Sequence, residues 1–272
     1  MGNSGSLFSL RDKVVLVTGG GRGLGAAMGK LFADAGAEVM LSDVLAKEGE
    51  EIAKEICDMG GTAKFVHHDV TVEPEWESAI AATVRAFGRV DILVNNAGIE
   101  HMVLASEESV SAFRRLMEVN VTGVFLGCKH AIRAMSPDGA SGHGGSIINM
   151  SSIAGKVGMP AVTAYCASKG AVSLMTKSLA VECGLLKNGI RVNSIHPGVV
   201  WTDMGSALPE QLVNVGLAPN PEAARHMFLS GHPIGRFGSV PDVASAALYL
   251  ASDAASWMTG SEFVVDGGYT AQ

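Results

Sequence analysis

No run of about eighteen consecutive apolar residues occurs anywhere in this chain, so no membrane-spanning helix is expected. The opening Met1-Gly2-Asn3-Ser4-Gly5-Ser6 lacks the long apolar stretch of a secretory signal; residues 1–9 read as a flexible leader and the location as cytoplasmic. Charge is scarce, at 17% of residues, with 20 basic against 27 acidic side chains and a net charge of −7. Such a balance gives no electrostatic reason to bind nucleic acid or anionic lipid. Cys57, Cys128, Cys166 and Cys183 show no C-x-x-C spacing. They read as small buried hydrophobes in a reducing compartment.

What is present is apolar and periodic. Of the 272 residues, 47% are hydrophobic, which fits one large α/β domain over residues 10–272. Val14–Val17, Val39–Leu41, Ile92–Val94, Ile147–Asn149, Val192–Ile195 and Phe263–Val265 read as buried strands. Leu24–Ala35, Ala46–Met59, Glu75–Phe87 and Ala164–Cys183 read as helices between them. Continuous apolar strands alternating with helices predict a doubly wound Rossmann fold: a central parallel sheet of about seven strands, covered on both faces. The stretch Ser136–Gly145 reads as an exposed surface excursion. Residues 202–238 break the β/α rhythm and are apolar, as a substrate-binding lid would be.

After the first strand come Gly19, Arg22, Gly23, Leu24 and Gly25, a tight turn running into a helix start. Glycines there let the backbone approach a pyrophosphate at the helix amino end. Asp43 closes the next strand about twenty residues on, where an acid binds ribose hydroxyls. A carboxylate at about 5 Å would repel a 2′-phosphate by several kcal/mol, so NAD is favoured over NADP. Arg22 is the dissenting residue, since it can reach a phosphate. Asp69 and Val70 end the third strand, where they can hold the adenine amino group, and Asn95-Asn96-Ala97-Gly98 closes the fourth. His67 and His68 read as a solvated strand terminus, because no third metal ligand accompanies them.

Tyr165 and Lys169, four apart, share one face of a predicted helix, with Ser152 thirteen residues before Tyr165. An ammonium there favours the phenolate of a group whose ordinary pKa is about 10. Beside a dinucleotide cradle, that is a proton-transfer site next to a hydride carrier.

These residues, together with Asn120, the stretch Pro197-Gly198-Val199-Val200-Trp201-Thr202 and Asp266-Gly267-Gly268, resemble the short-chain dehydrogenase/reductase family from about Leu10 to Gln272. Within it the chain looks most like bacterial secondary-alcohol and hydroxysteroid dehydrogenases. The resemblance implies that Tyr165 is the acid/base and that Ser152, rather than Ser151, binds the substrate oxygen. It implies that Lys169 depresses the Tyr165 pKa and binds the nicotinamide ribose, and that Asn120 fixes a water leading to Lys169. Thr202 would hold the carboxamide and Val200 would border the nicotinamide, with Ile99 and Val121 flanking the cofactor. The C-terminal residues resemble those of R-specific alcohol dehydrogenases of lactobacilli, which prefer NADP; Asp43 departs from them. In those enzymes the last residue participates in a magnesium site between subunits, which makes Gln272 a candidate ligand of a structural Mg²⁺. The family likeness also implies a homotetramer, one interface using the helices around Asn120–Met135 and Tyr165–Cys183.

Around Ser152 and Tyr165, walls are expected from Glu100, His101, Met102, Ile153, Ala154, Met159, Pro160 and Val162, and a roof from Trp201, Met204, Leu208, Leu212 and Val213. Most are apolar, with no Arg or Lys placed for an acidic substrate. The expected reaction is interconversion of a hydrophobic secondary alcohol, cyclic or steroid-like, and its ketone. Two alternatives stand beside it. A 3-oxoacyl-carrier-protein reductase shares the core motifs, but Asp43 and the apolar lid argue against it. A non-catalytic nucleotide-binding relative would normally lack the Tyr or Lys that this chain retains.

Overall fold

A computed structural model describes residues 7–272, so the first six positions of the expected leader lie outside the described residues. Seven parallel strands form one sheet: β1 (Val14–Thr18), β2 (Glu38–Asp43), β3 (Thr62–His67), β4 (Ile92–Asn95), β5 (Gly145–Met150), β6 (Ile190–Pro197) and β7 (Glu262–Val265). Their spatial order is β3-β2-β1-β4-β5-β6-β7. The chain order therefore reverses between β1 and β4, the topological switch point where such sheets open a crevice.

Nine α-helices are described. They are α1 (Gly23–Asp34), α2 (Ala46–Asp58), α3 (Glu73–Phe87), α4 (Val110–Met117), α5 (Gly123–Met135), α6 (Thr163–Leu186), α7 (Asp203–Asn214), α8 (Pro221–Ser230) and α9 (Val240–Ala251). Alternation along each strand feeds two cores, because successive side chains leave opposite faces. Val15 and Val17 pack with Met28 and Phe32 of α1, Ile56 of α2 and Val243 of α9. Leu16 points the other way, to Trp76 of α3, Val124 of α5 and Val172 of α6. None of the described helices is long and apolar enough to cross a membrane.

Several readings of the sequence need correction. The third strand, expected to end at Asp69 and Val70, ends at His67; it has no continuous apolar run, because β3 is an edge strand with one well-buried side chain, Ala63, and exposed neighbours at Thr62 and Lys64. Residues 202–238 carry two helices, α7 and α8, and α9 follows. The Gly-rich loop before β5 is not wholly exposed: Ser141 is buried and its Oγ accepts the Val90 N–H at 2.7 Å. Of the cysteines only Cys128 and Cys183 are buried, while Cys57 is exposed; all four are free.

His68 is also not solvated. It is buried at the end of β3, pairs through Nδ1 with the Ser42 hydroxyl at 3.1 Å and meets the Trp76 ring edge-on at 4.3 Å. Trp76 is itself fully buried and donates from Nε1 to the Val70 carbonyl at 2.9 Å. One indole thus anchors the turn carrying His68, Asp69 and Val70. Trp76→Ala is expected to lower the unfolding free energy by about 3–5 kcal/mol, measured by urea titration, and to weaken dinucleotide binding in the same sample.

Candidate active site

The glycine turn at the end of β1 is packed so closely on its own neighbours that side chains are excluded from it. Gly19 sits at φ +63°, and a Cβ there would come within 2.9 Å of the Asn96 side chain. At Gly25 a Cβ would lie 2.0 Å from the Gly19 carbonyl oxygen. Arg22 caps α1 without any side-chain hydrogen bond, so the helix presents an uncapped amino end, the electrostatic setting for a phosphate. Asp43 stands beside the same turn, its carboxylate accepting the Gly21 N–H at 2.9 Å and the Leu45 N–H at 3.1 Å. The Arg22 guanidinium lies 3.9 Å from the exposed carboxylate of Asp203. A pair that exposed is weakly held.

Tyr165 and Lys169 share the first turns of α6, with the Lys169 Nζ 5.5 Å from the Tyr165 ring centre. Lys169 is buried and donates to the Met150 carbonyl at 2.8 Å. Burial brings its pKa down to about 8. Tyr165 does not follow the direction implied by the family likeness. Desolvation pushes its phenol above the ordinary value, the Glu100 charge adds to that, and the Ser152 hydrogen bond only partly opposes it. Ser152 also accepts the Ala154 N–H at 3.1 Å. Its neighbour Ser151 is turned away, donating to the Lys169 carbonyl at 2.9 Å.

Asn120 sits in a π turn, Glu118–Thr122, between α4 and α5. Its Oδ1 accepts the Ile99 N–H at 2.9 Å and its Nδ2 donates to the Ile99 carbonyl at 2.8 Å and to the Ser168 hydroxyl at 3.2 Å. The wider turn places one amide between the loop after β4 and the helix of Lys169, a use typical of π turns. Past β6, Gly198 is packed so closely that a Cβ would lie 2.9 Å from His232 Nε2, and that nitrogen accepts the Val199 N–H at 3.2 Å. Thr202 caps α7 by accepting the Gly205 N–H at 3.3 Å.

These parts border one cleft of about 910 Å³. It brings together Gly19, Arg22, Gly23, Leu24, Asp43, Asp69, Val70, Asn96, Ala97 and Gly98 with Ser152, Ala154, Tyr165, Lys169, Pro197, Gly198, Val200 and Thr202. Gly25 and Asn120 stand behind the wall. Trp201 does not line it; its ring stacks on Phe237 at 4.9 Å, with the Arg225 guanidinium 5.4 Å above it. His101 is outside too, paired with Glu108 at 2.8 Å, as is Val213. Residues missed from the sequence include His68, Arg115, Gln211, Met227, Phe228 and Tyr269. No local pattern marked them, since each reaches the cleft through tertiary packing. Gln272 donates from Nε2 to the Gly231 carbonyl at 3.2 Å, and no cluster of three or more His, Cys, Asp or Glu able to hold a metal occurs among the described residues.

The buried lysine has a consequence for stability. An unfolded lysine keeps its proton to about pH 10.4, whereas Lys169 in the fold gives it up near 8. Between these values the unfolded chain binds more protons, so stability rises with pH, and the gain is lost as pH falls through 8. The unliganded protein should gain up to about 2 kcal/mol between pH 8 and 10 relative to Lys169→Met. Parallel urea titrations of both proteins check this; equal slopes would show that the amine is not desolvated.

Comparison with known proteins agrees with this architecture. A family model described as enoyl-(acyl carrier protein) reductase matches residues 19–270. The chain is 41% identical over 262 residues to a 3-alpha-(or 20-beta)-hydroxysteroid dehydrogenase of Mycobacterium tuberculosis, covering 96% of this chain and 91% of that one. It is 42% identical over 267 residues to an NADP-dependent (R)-specific alcohol dehydrogenase of Lentilactobacillus kefiri, covering 97% and 98%. A solved short-chain type dehydrogenase/reductase from Mycobacterium marinum superposes with a TM-score of 0.87 at 35% identity, covering 98% of each chain. With seven parallel strands, a glycine cradle at the switch point and this degree of likeness along nearly its whole length, the chain belongs to the short-chain dehydrogenase/reductase family.

Proposed function

We propose that the protein is an NAD-dependent dehydrogenase that interconverts a largely apolar secondary alcohol and its ketone. One observation carries the reading: Ser152, Tyr165 and Lys169 share a cleft with the glycine turn and Asp43. When bound, the nicotinamide supplies the hydride acceptor for oxidation and the hydride donor for reduction. Ser152 and Tyr165 hydrogen-bond the substrate oxygen between them, and Tyr165 takes its proton in oxidation or returns it in reduction. Lys169 lies within range to stabilise the phenolate once it carries its proton. Apolar side chains of Ile153, Met159, Met204, Leu208 and Leu212 exclude water around the reacting carbon.

NAD is supported over NADP by Asp43, whose carboxylate occupies the turn that a 2′-phosphate would approach. The relative from Lentilactobacillus kefiri is NADP-dependent by name, so the choice belongs to this chain's own residues. Residues 10–272 act as one catalytic domain, with 202–238 as the lid; Met204, Leu208 and Met227 facing the cleft support that role. A homotetramer is supported by Phe125 on α5 and Leu174, Val181 and Leu185 on α6, large apolar groups left exposed. Four free cysteines support a reducing, cytoplasmic setting.

With a panel of secondary alcohols, wild-type protein should reduce NAD, and Tyr165→Phe should cut kcat/KM by about 10²–10⁴-fold. Equal rates would remove the catalytic role. Preference for short hydroxy acids over apolar alcohols would remove the substrate class. Asp43→Asn should move the kcat/KM ratio toward NADP by on the order of 10–100-fold; an unchanged ratio would show that Asp43 does not select the coenzyme.

A further inference from the structure

Two acceptor oxygens in this cleft lack a donor. The Oε1 of Glu100, in the loop after β4, and the Oε1 of Gln211, on α7, are both buried without a hydrogen-bond partner. Both residues line the cleft. They belong to one cluster, since the Gln211 side chain acts on the Glu100 carboxyl as a hydrogen-bonding neighbour. The cluster stands at the reacting end, because the Glu100 charge is felt by the Tyr165 phenol. Met102, Leu208 and Leu212 line the same cleft and offer no polar hydrogen, and the ring of the neighbouring His101 is paired with Glu108.

Buried acceptors are nearly always paired, and orphans in a ligand cleft mark where the ligand supplies the missing hydrogen. We propose that Glu100 and Gln211 form a polar subsite for a second hydroxyl on the substrate, so that cyclic diols and hydroxyketones are preferred over plain secondary alcohols. A hydroxyl suits the pair because it gives a hydrogen to one oxygen and can accept one from the Glu100 carboxyl in its protonated form. Burial raises the Glu100 pKa, with His101 and Gln211 opposing, and a carboxyl drawn toward its neutral form favours an uncharged partner over an ammonium. The inference rests on the secondary-alcohol reading above and makes it more specific.

The test compares kcat/KM of the full chain with NAD for cyclohexanol, the isomeric cyclohexanediols and trans-4-aminocyclohexanol. The best diol should exceed cyclohexanol by about 10-fold or more. In Gln211→Leu and Glu100→Leu that ratio should fall to within about 3-fold, as expected when the acceptor is gone. Thermal unfolding checks that the variants are folded, and Gln211→Met and Glu100→Met, which also remove the acceptor, carry the same comparison if the leucine variants are not. Turnover of cyclohexanol with no preference for any diol would overturn the subsite alone. So would a preference that survives both leucine variants, or one for the amine over every diol. Wild-type protein that oxidises none of these alcohols would overturn the parent reading and the subsite with it.

Discussion

One threonine hydroxyl holds the crevice in place. Thr18, at the end of β1 and almost fully buried, donates to the Val94 carbonyl at 3.3 Å and accepts the N–H groups of Asn96 at 3.0 Å and Ala97 at 3.1 Å. Asn96 answers through Nδ2, which donates to the carbonyls of Thr18 and Gly19 at 3.0 and 3.1 Å. These bonds tie the carboxyl ends of β1 and β4 together where the strand order reverses. The segments that follow then diverge, one toward the uncapped amino end of α1 and the other toward the loop of Glu100. The positions of the glycine turn and the proton-transfer groups both derive from that clasp.

Burial sets the electrostatics of the other end. Lys169 and Tyr165 are each driven toward the uncharged form, as is Glu100. All three shifts share a cause, removal from water into a cleft walled by apolar side chains. A lysine near its ordinary pKa would be a fixed charge, whereas one near 8 responds to its surroundings. The simple picture of an ammonium lowering a neighbouring phenol omits the carboxyl across the cleft and the cost of desolvating both partners.

Local patterns determine much of this molecule and therefore could be read in advance. Continuous apolar runs gave six of the strands, the glycine spacing located the turn at Gly19, and the four-residue interval put Tyr165 and Lys169 on one helical face. β3 showed only as a strand end near Asp69, without bounds, because an edge strand does not need a continuous apolar run. His68 was misread because a polar residue beside Asp69 looks solvated in sequence, yet Ser42 and Trp76, remote along the chain, close over it. Trp201 was misplaced for a similar reason: whether a large ring turns into a cleft or onto Phe237 and Arg225 is decided by helices whose packing no spacing encodes. Gln211 was invisible because it needs α7 folded over the loop of Glu100.

The π turn at Glu118–Thr122 bears on how this chain can vary in length. Its extra backbone step is tied at both ends through Asn120, to Ile99 on one side and to Ser168 on the other. Removing one residue would rotate everything upstream by about 100° around the helix axis and detach both ties at once. Adding or dropping a residue near Pro137 and Asp138, exposed at the far end of α5, disturbs neither tie. Indels in natural variants of this scaffold should therefore collect at the latter place and be purged from the former.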